Sequence, residues 1–168
     1  MSCIMIGVVI AGLLVDLANQ AVILLKEVDG DRVVPIWIGK MEANAIVYEL
    51  SKHHPERPLA HDLLATVIGS FRAEVTRVLI SNFIDGTYYA ELSLRVGRER
   101  IVKLDARPSD AICLALKFRT PISVAGHVVE ICGVTHRRQE EGPLSSEDTL
   151  RNYISRIDPE DFGNYRLM

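Results

Sequence analysis

The sequence predicts an α+β domain: a mixed or mainly antiparallel sheet with a hairpin and a three-stranded meander, packed by about three helices, plus a C-terminal helix. Three observations carry this. Thr87 to Val96 alternates strictly, with Tyr88, Ala90, Leu92, Leu94 and Val96 set between polar or exposed neighbours, which is the period of a half-buried strand. Other stretches, bounded by prolines, repeat their apolar residues at helical spacing. The chain has 168 residues, 48% hydrophobic and 24% charged, enough for one real core and unlike a disordered, collagen-like or disulfide-stapled chain.

Taken in order, Ile4 to Val15 is apolar and broken by Gly7 and Gly12. It reads as a buried strand, since it lacks the basic start of a signal peptide and stops at Asp16, short of a membrane span. A second strand, Ala21 to Leu25, follows a polar turn, and Asp29-Gly30 is expected to supply a positive-φ hairpin turn back through Val33 to Ile38. Pro35 in that return strand hints at an edge or a bulge, because it cannot donate to a ladder.

Ala43, Ile46, Val47 and Leu50 share one face, so Lys40 to Lys52 is expected to be a helix bordered by Glu42 and Glu49 and stopped by Pro55 and Pro58. A second helix, Leu59 to Phe71, aligns Leu59, Leu63, Leu64, Val67, Ile68 and Phe71 on one face, with His61 at its border. The meander comprises Glu74 to Ile84, Thr87 to Val96 and Glu99 to Asp105, turned by Asp85-Gly86 and Gly97. Pro108 to Phe118 is apolar nearly all round and is expected to be a buried helix, and Pro121 to Ala125 a short strand. Residues 1–136 form the domain. Residues 137–168 read as a linker and a helical tail with a Leu150, Tyr153, Ile154 and Ile157 stripe.

Lys plus Arg number 19 and Asp plus Glu 22, a net charge of −3, so no global field draws the chain onto a polyanion. Cys3, Cys113 and Cys132 are odd in number and widely spaced, which argues against a disulfide framework and a zinc knuckle and fits a reducing cytoplasm. No phosphate-loop, dinucleotide, zinc-protease or nucleophile-elbow motif is present.

What remains is a pattern of helix starts, Gly39-Lys40-Met41-Glu42, Arg57-Pro58-Leu59-Ala60-His61-Asp62 and Asp105-Ala106-Arg107-Pro108-Ser109-Asp110. Acidic residues in a first turn complement the helix dipole whatever else they do. If the starts converge, Glu42, Asp62, Asp105 and Asp110 can orient or ligate Mg²⁺ or Mn²⁺, with Glu42, Asp105 and Asp110 as the metal set. His61 then handles a proton. Arg57 and Arg107 each precede a proline that holds them extended, and are aimed either at phosphate or into ion pairs with Asp62, Asp105 or Asp110. Ser109 is a weak nucleophile and a better cap or substrate contact. Arg98 and Arg100, with Arg95 and Lys103, give the Gly97 hairpin a charge suited to a phosphodiester backbone or to blunting an exposed edge.

Leu24-Leu25-Lys26-Glu27 through Val34-Pro35-Ile36-Trp37-Ile38-Gly39 with Glu42-Ala43, the Arg57 to Leu63 block, Asp85-Gly86-Thr87-Tyr88-Tyr89-Ala90 and the Asp105 to Ile112 block together resemble the bifunctional nuclease domain family. The likeness runs over residues 4 to 132, and departs from it at Ala60, where relatives commonly have Thr. It implies a compact α+β domain, often a homodimer, with DNase and RNase activity in some members and a divalent metal. The tail resembles the ending of bacterial relatives.

The expected function is therefore phosphodiester cleavage of DNA or RNA, without a membrane and as a homodimer or higher homo-oligomer. Its rival is a non-catalytic binding or regulatory module of the same fold, in which these blocks preserve a charge network and a subunit interface. Glu42, His61, Asp105 and Asp110 gathered in one open cleft favour the enzyme. Spread apart, or paired with arginines, they favour the module.

Overall fold

The computed structural model describes residues 4–16, 18–52 and 55–135. Among them eight strands form one mixed sheet: β1 (Met5–Val15), β2 (Ala21–Glu27), β3 (Arg32–Ile38), β4 (Ala73–Ile84), β5 (Thr87–Val96), β6 (Arg100–Ala106), β7 (Ile122–Ala125) and β8 (Val134–Thr135). Four helices accompany it: α1 (Lys40–Ser51), α2 (Ala60–Ser70), α3 (Pro108–Phe118) and α4 (Gly126–Cys132). The α+β class, the hairpin and the meander are as the sequence predicts, and α4 is additional. The expected linker and tail helix lie outside the described residues.

The strand order is β6-β5-β4-β7-β1-β2-β3-β8, and only β4 and β7 run parallel. Parallel neighbours need a crossover, and β5, β6 and α3 supply it. The sheet is far from flat. Tyr88 on β5 donates its hydroxyl to the Pro35 carbonyl on β3 at 2.9 Å, although the two strands stand five places apart in the order. Laid flat, those strands would be about 24 Å apart at the usual spacing of about 4.8 Å. The sheet therefore curls until β3 faces β5, and α4 packs against β3, β4 and β7 with Val128 and Val129 wholly buried. This closure brings the end of β3 beside the start of β5, where the candidate site lies.

On β3, Val34 and Ile36 face the main core, while Val33 and Trp37 join Val22, Leu24 and Leu14 in a second cluster on the other face. The Trp37 indole N–H donates to Asp16 at 3.0 Å. Pro35 is tolerated because β8 pairs only with Arg32 and Val33, so β3 is an edge at the proline, as anticipated.

Two expectations are corrected, and one apolar face proves mostly uncovered. The opening strand forms, but only Val8 is buried along it; Met5 and Val9 are exposed on one face and Val15 at its end. Neither Asp29 nor Gly30 has a positive φ. Gly30 makes room instead: a Cβ there would lie 2.0 Å from Glu27 Oε2 and force that side chain, held by the Arg32 backbone and guanidinium, to shift. The Asp85-Gly86 turn does have the left-handed geometry expected, with φ of 49° and 76°. Finally, the apolar face of α2 is mostly outside: Ile68 is buried, whereas Leu63, Leu64, Val67 and Phe71 are exposed. The helix packs on α3 and β4, and those contacts leave most of this face uncovered.

Candidate functional site

The site is organised around the start of α3, which packs between α1 and α2. Arg107 caps this helix with φ −69° and ψ 144°, the extended conformation that a following proline imposes, so its guanidinium leaves the backbone in a fixed direction. Arg107 Nε donates to Asp110 Oδ2 at 2.7 Å and Nη2 to Asp110 Oδ1 at 3.1 Å, the two-point grip that a carboxylate favours. Nη1 donates to Glu42 Oε1 on α1 at 2.9 Å. Three of the five guanidinium N–H groups are thus used, and the side chain stays 65% exposed.

From α2, His61 Nε2 lies 2.9 Å from Asp110 Oδ1, with the imidazole 16% exposed. Burial pushes the Asp110 carboxyl up, but hydrogen bonds from Arg107 and His61 outweigh it and hold the group below the ordinary range. The hydrogen bond to Asp110 likewise raises Arg107, against the opposing effect of burial. An ionised carboxylate only accepts, so the proton in this contact belongs to Nε2; in the neutral ring, Nδ1 is then the acceptor. Glu42, Arg107, Asp110 and His61 form one continuous chain of contacts across three helix starts.

Asp62 belongs to a second, deeper network. Its Oδ2 accepts the Leu59 N–H at 2.6 Å, closing the first turn of α2, and its Oδ1 lies 2.5 Å from Lys117 Nζ. Lys117 also donates to Glu49, so this α3 cation ties α2 to α1. Burial pulls the Lys117 ammonium down, and its two carboxylate hydrogen bonds more than restore it, leaving it raised. Sequence reasoning gave Lys117 no role. The available signal was a lone cation in the last turn of a helix apolar from Ala111 to Leu116.

Asp105 is placed differently. In β6, Leu104 and Ala106 pair with the buried Leu92 and Ala90, so Asp105 projects from the opposite face, beside Glu91. It makes no contact with Glu42, His61 or Asp110. Arg57, Arg98 and Arg100 are exposed and have no ion pair among the described residues, whereas Arg95 pairs with Glu74 and Lys103 with Glu91. Among the described residues no group of three or more His, Cys, Asp or Glu side chains is placed to hold a metal ion. Glu42 and Asp110, the two prospective donors that do meet, are both committed to Arg107. As arranged, the donor set does not fit a divalent cation.

Beside Arg107 opens a pocket of about 170 Å³. Its walls come from the end of β3 (Ile36, Ile38), the start of α1 (Glu42), the start of β5 (Thr87, Tyr88) and the start of α3 (Arg107, Ser109). It exists because the sheet curls, and it joins segments far apart in sequence.

A curled mixed sheet with three helix starts meeting at an arginine-carboxylate-histidine chain defines the class of domain. Residues 23–137 match the family model described as the bifunctional nuclease domain, and the chain belongs to that family. It is 37% identical over 150 residues to an uncharacterised protein of Mycobacterium tuberculosis, covering 86% of this chain and 89% of that one. It is 29% identical over 139 residues to Bifunctional nuclease 2 of Arabidopsis thaliana, and 30% over 150 residues to Bifunctional nuclease 1 of Oryza sativa subsp. japonica. The matches cover 42% and 45% of the two plant proteins, less than half of each.

Proposed function

We propose that this chain hydrolyses phosphodiester bonds of DNA or RNA and that His61 is the residue that moves the proton. The carrying observation is the His61–Asp110 contact, held by Arg107, whose side chain also lines an open pocket. Asp110 keeps the Nε2 proton in place and leaves Nδ1 to take a proton from the attacking oxygen, water or a ribose hydroxyl. Arg107 and Glu42 act as positioning residues for Asp110. Asp62, by capping α2 and binding Lys117, positions the turn that carries His61. Arg57, Arg98 and Arg100, exposed and without carboxylate partners, are the natural contacts for backbone phosphates. The names of the plant relatives support the same reading.

Two observations favour the non-catalytic module: Asp105 stands apart beside Glu91, and Arg107 pairs with both Glu42 and Asp110, as in a structural ion network. Cleavage of labelled single-stranded and duplex DNA and RNA, with Mg²⁺, with Mn²⁺ and with EDTA, separates the two. The nuclease reading expects cleavage by the native protein and a fall of about 10²-fold or more in Asp110→Asn, prepared identically. Loss with EDTA and restoration by either cation would add a metal requirement. No cleavage, or equal cleavage by both proteins, means the module.

A further inference from the structure

The pocket at the start of α3 has features that the cleavage step does not use. Ser109 is only 6% exposed, lines the pocket, and its hydroxyl makes no hydrogen bond among the described residues. Its oxygen is not sealed off, as the Ser93 hydroxyl is, so what little of Ser109 is exposed opens to the pocket, where the hydroxyl is free to bond whatever enters. Arg107 brings two unused N–H donors to the same rim, Glu42 an acceptor and Thr87 a hydroxyl. The remaining wall is apolar, from Ile36, Ile38 and Tyr88, whose hydroxyl is turned away to Pro35.

Size and charge decide what fits. About 170 Å³ admits one heterocycle and excludes a base pair, being smaller than the roughly 300 Å³ at which drug-sized sites begin. The charged lining is one carboxylate, Glu42, and one guanidinium, Arg107, which pair with each other while Arg107 also pairs with Asp110 behind it, so the pocket offers a phosphate no net positive charge. A flat neutral ring, with donors and acceptors on its edge and apolar faces, needs none. We propose that this pocket receives a single unpaired nucleobase, gripped at its edge by Ser109 and Arg107, with its face on Ile36, Ile38 and Tyr88. This deepens the nuclease reading and rests on it for the polymer: the substrate is a strand with an unstacked nucleotide, and the phosphate stays outside, towards His61.

The test needs no cleavage. Binding of the four ribonucleosides, of ribose 5-phosphate and of inorganic phosphate is measured by titration with NMR detection, on the native chain, on Ser109→Ala and on Thr87→Trp. Thr87 is exposed at a strand start, where tryptophan is tolerated, and a large side chain there would fill the pocket. At least one nucleoside is expected to bind saturably while ribose 5-phosphate and phosphate do not. Ser109→Ala weakens that binding about three- to tenfold, the value of one hydrogen bond, and Thr87→Trp abolishes it. Binding of phosphate in place of nucleosides, binding of neither, or nucleoside binding unchanged by Thr87→Trp overturns the proposal. A protein that binds nucleosides but cuts no polymer keeps the pocket and loses the nuclease reading. One that cuts but binds no nucleoside does the reverse.

Discussion

Lys117 on α3 ties α1 and α2 together through two ion pairs. Its side chain is 10% exposed and is gripped by Glu49 from α1 and Asp62 from α2. Lys117→Met would leave two carboxylates facing each other without a cation, at a cost of about 2–3 kcal/mol once their partial exposure is discounted. A urea unfolding curve reads that cost directly; an unchanged midpoint would mean the triad is a surface contact. Stability should also follow pH with a defined sign. Asp110 sits below its ordinary 3.8 in the fold, so its contribution is complete above that value and is lost as the solution falls through the lowered one. Lys117 sits above its ordinary 10.5, so its contribution is complete below that value and lost as pH rises beyond it. Thermal melts from pH 2 to pH 12 should therefore show a plateau between the two limits. Cys113, pushed up to about 12 by burial, should resist alkylation at neutral pH in the folded protein and react once urea unfolds it.

At the scale of elements, α2 divides its apolar residues unevenly. Ile68→Ala should cost about 2–4 kcal/mol, because it empties a buried position. Phe71→Ser, at a position 76% exposed, should cost no more than about 0.5 kcal/mol. Equal costs, measured by the same unfolding curves, would contradict the placement of the helix. This contrast marks where the sequence stops being informative. Periodicity identified α2 and the face that Leu63, Leu64, Val67, Ile68 and Phe71 share, but not how much of that face a neighbour covers. Burial depends on the partner element, and the partner is set by topology. The same limit explains β1, apolar along its length yet exposed on one face. The Pro108 start of α3 and the Asp85-Gly86 turn were legible in full, because proline geometry and left-handed turns are local properties. Gly30 was legible as a glycine but not for its reason, which is a Glu27 side chain folded beneath it.

For the whole molecule, curling of the sheet is the event that makes a site. Ile36, Tyr88 and Ser109 line one pocket only because β3 comes round to β5, and nothing in local sequence announces a contact between Tyr88 and Pro35. The three helix starts were legible as a set of residue types, and the structure joins Glu42, His61, Arg107 and Asp110 through direct contacts. Asp105 illustrates the remainder: one position along a strand reverses the face, and residue spacing near a strand end did not reveal which face would turn towards α3. The central claim is that His61, oriented by Asp110, carries the proton in phosphodiester cleavage. The most direct test compares His61→Ala with His127→Ala, an exposed histidine that contacts Asn82 instead, on one labelled single strand after identical purification. The account predicts that cleavage persists in His127→Ala and is lost in His61→Ala while its unfolding curve stays cooperative. Equal cleavage by both variants would contradict it.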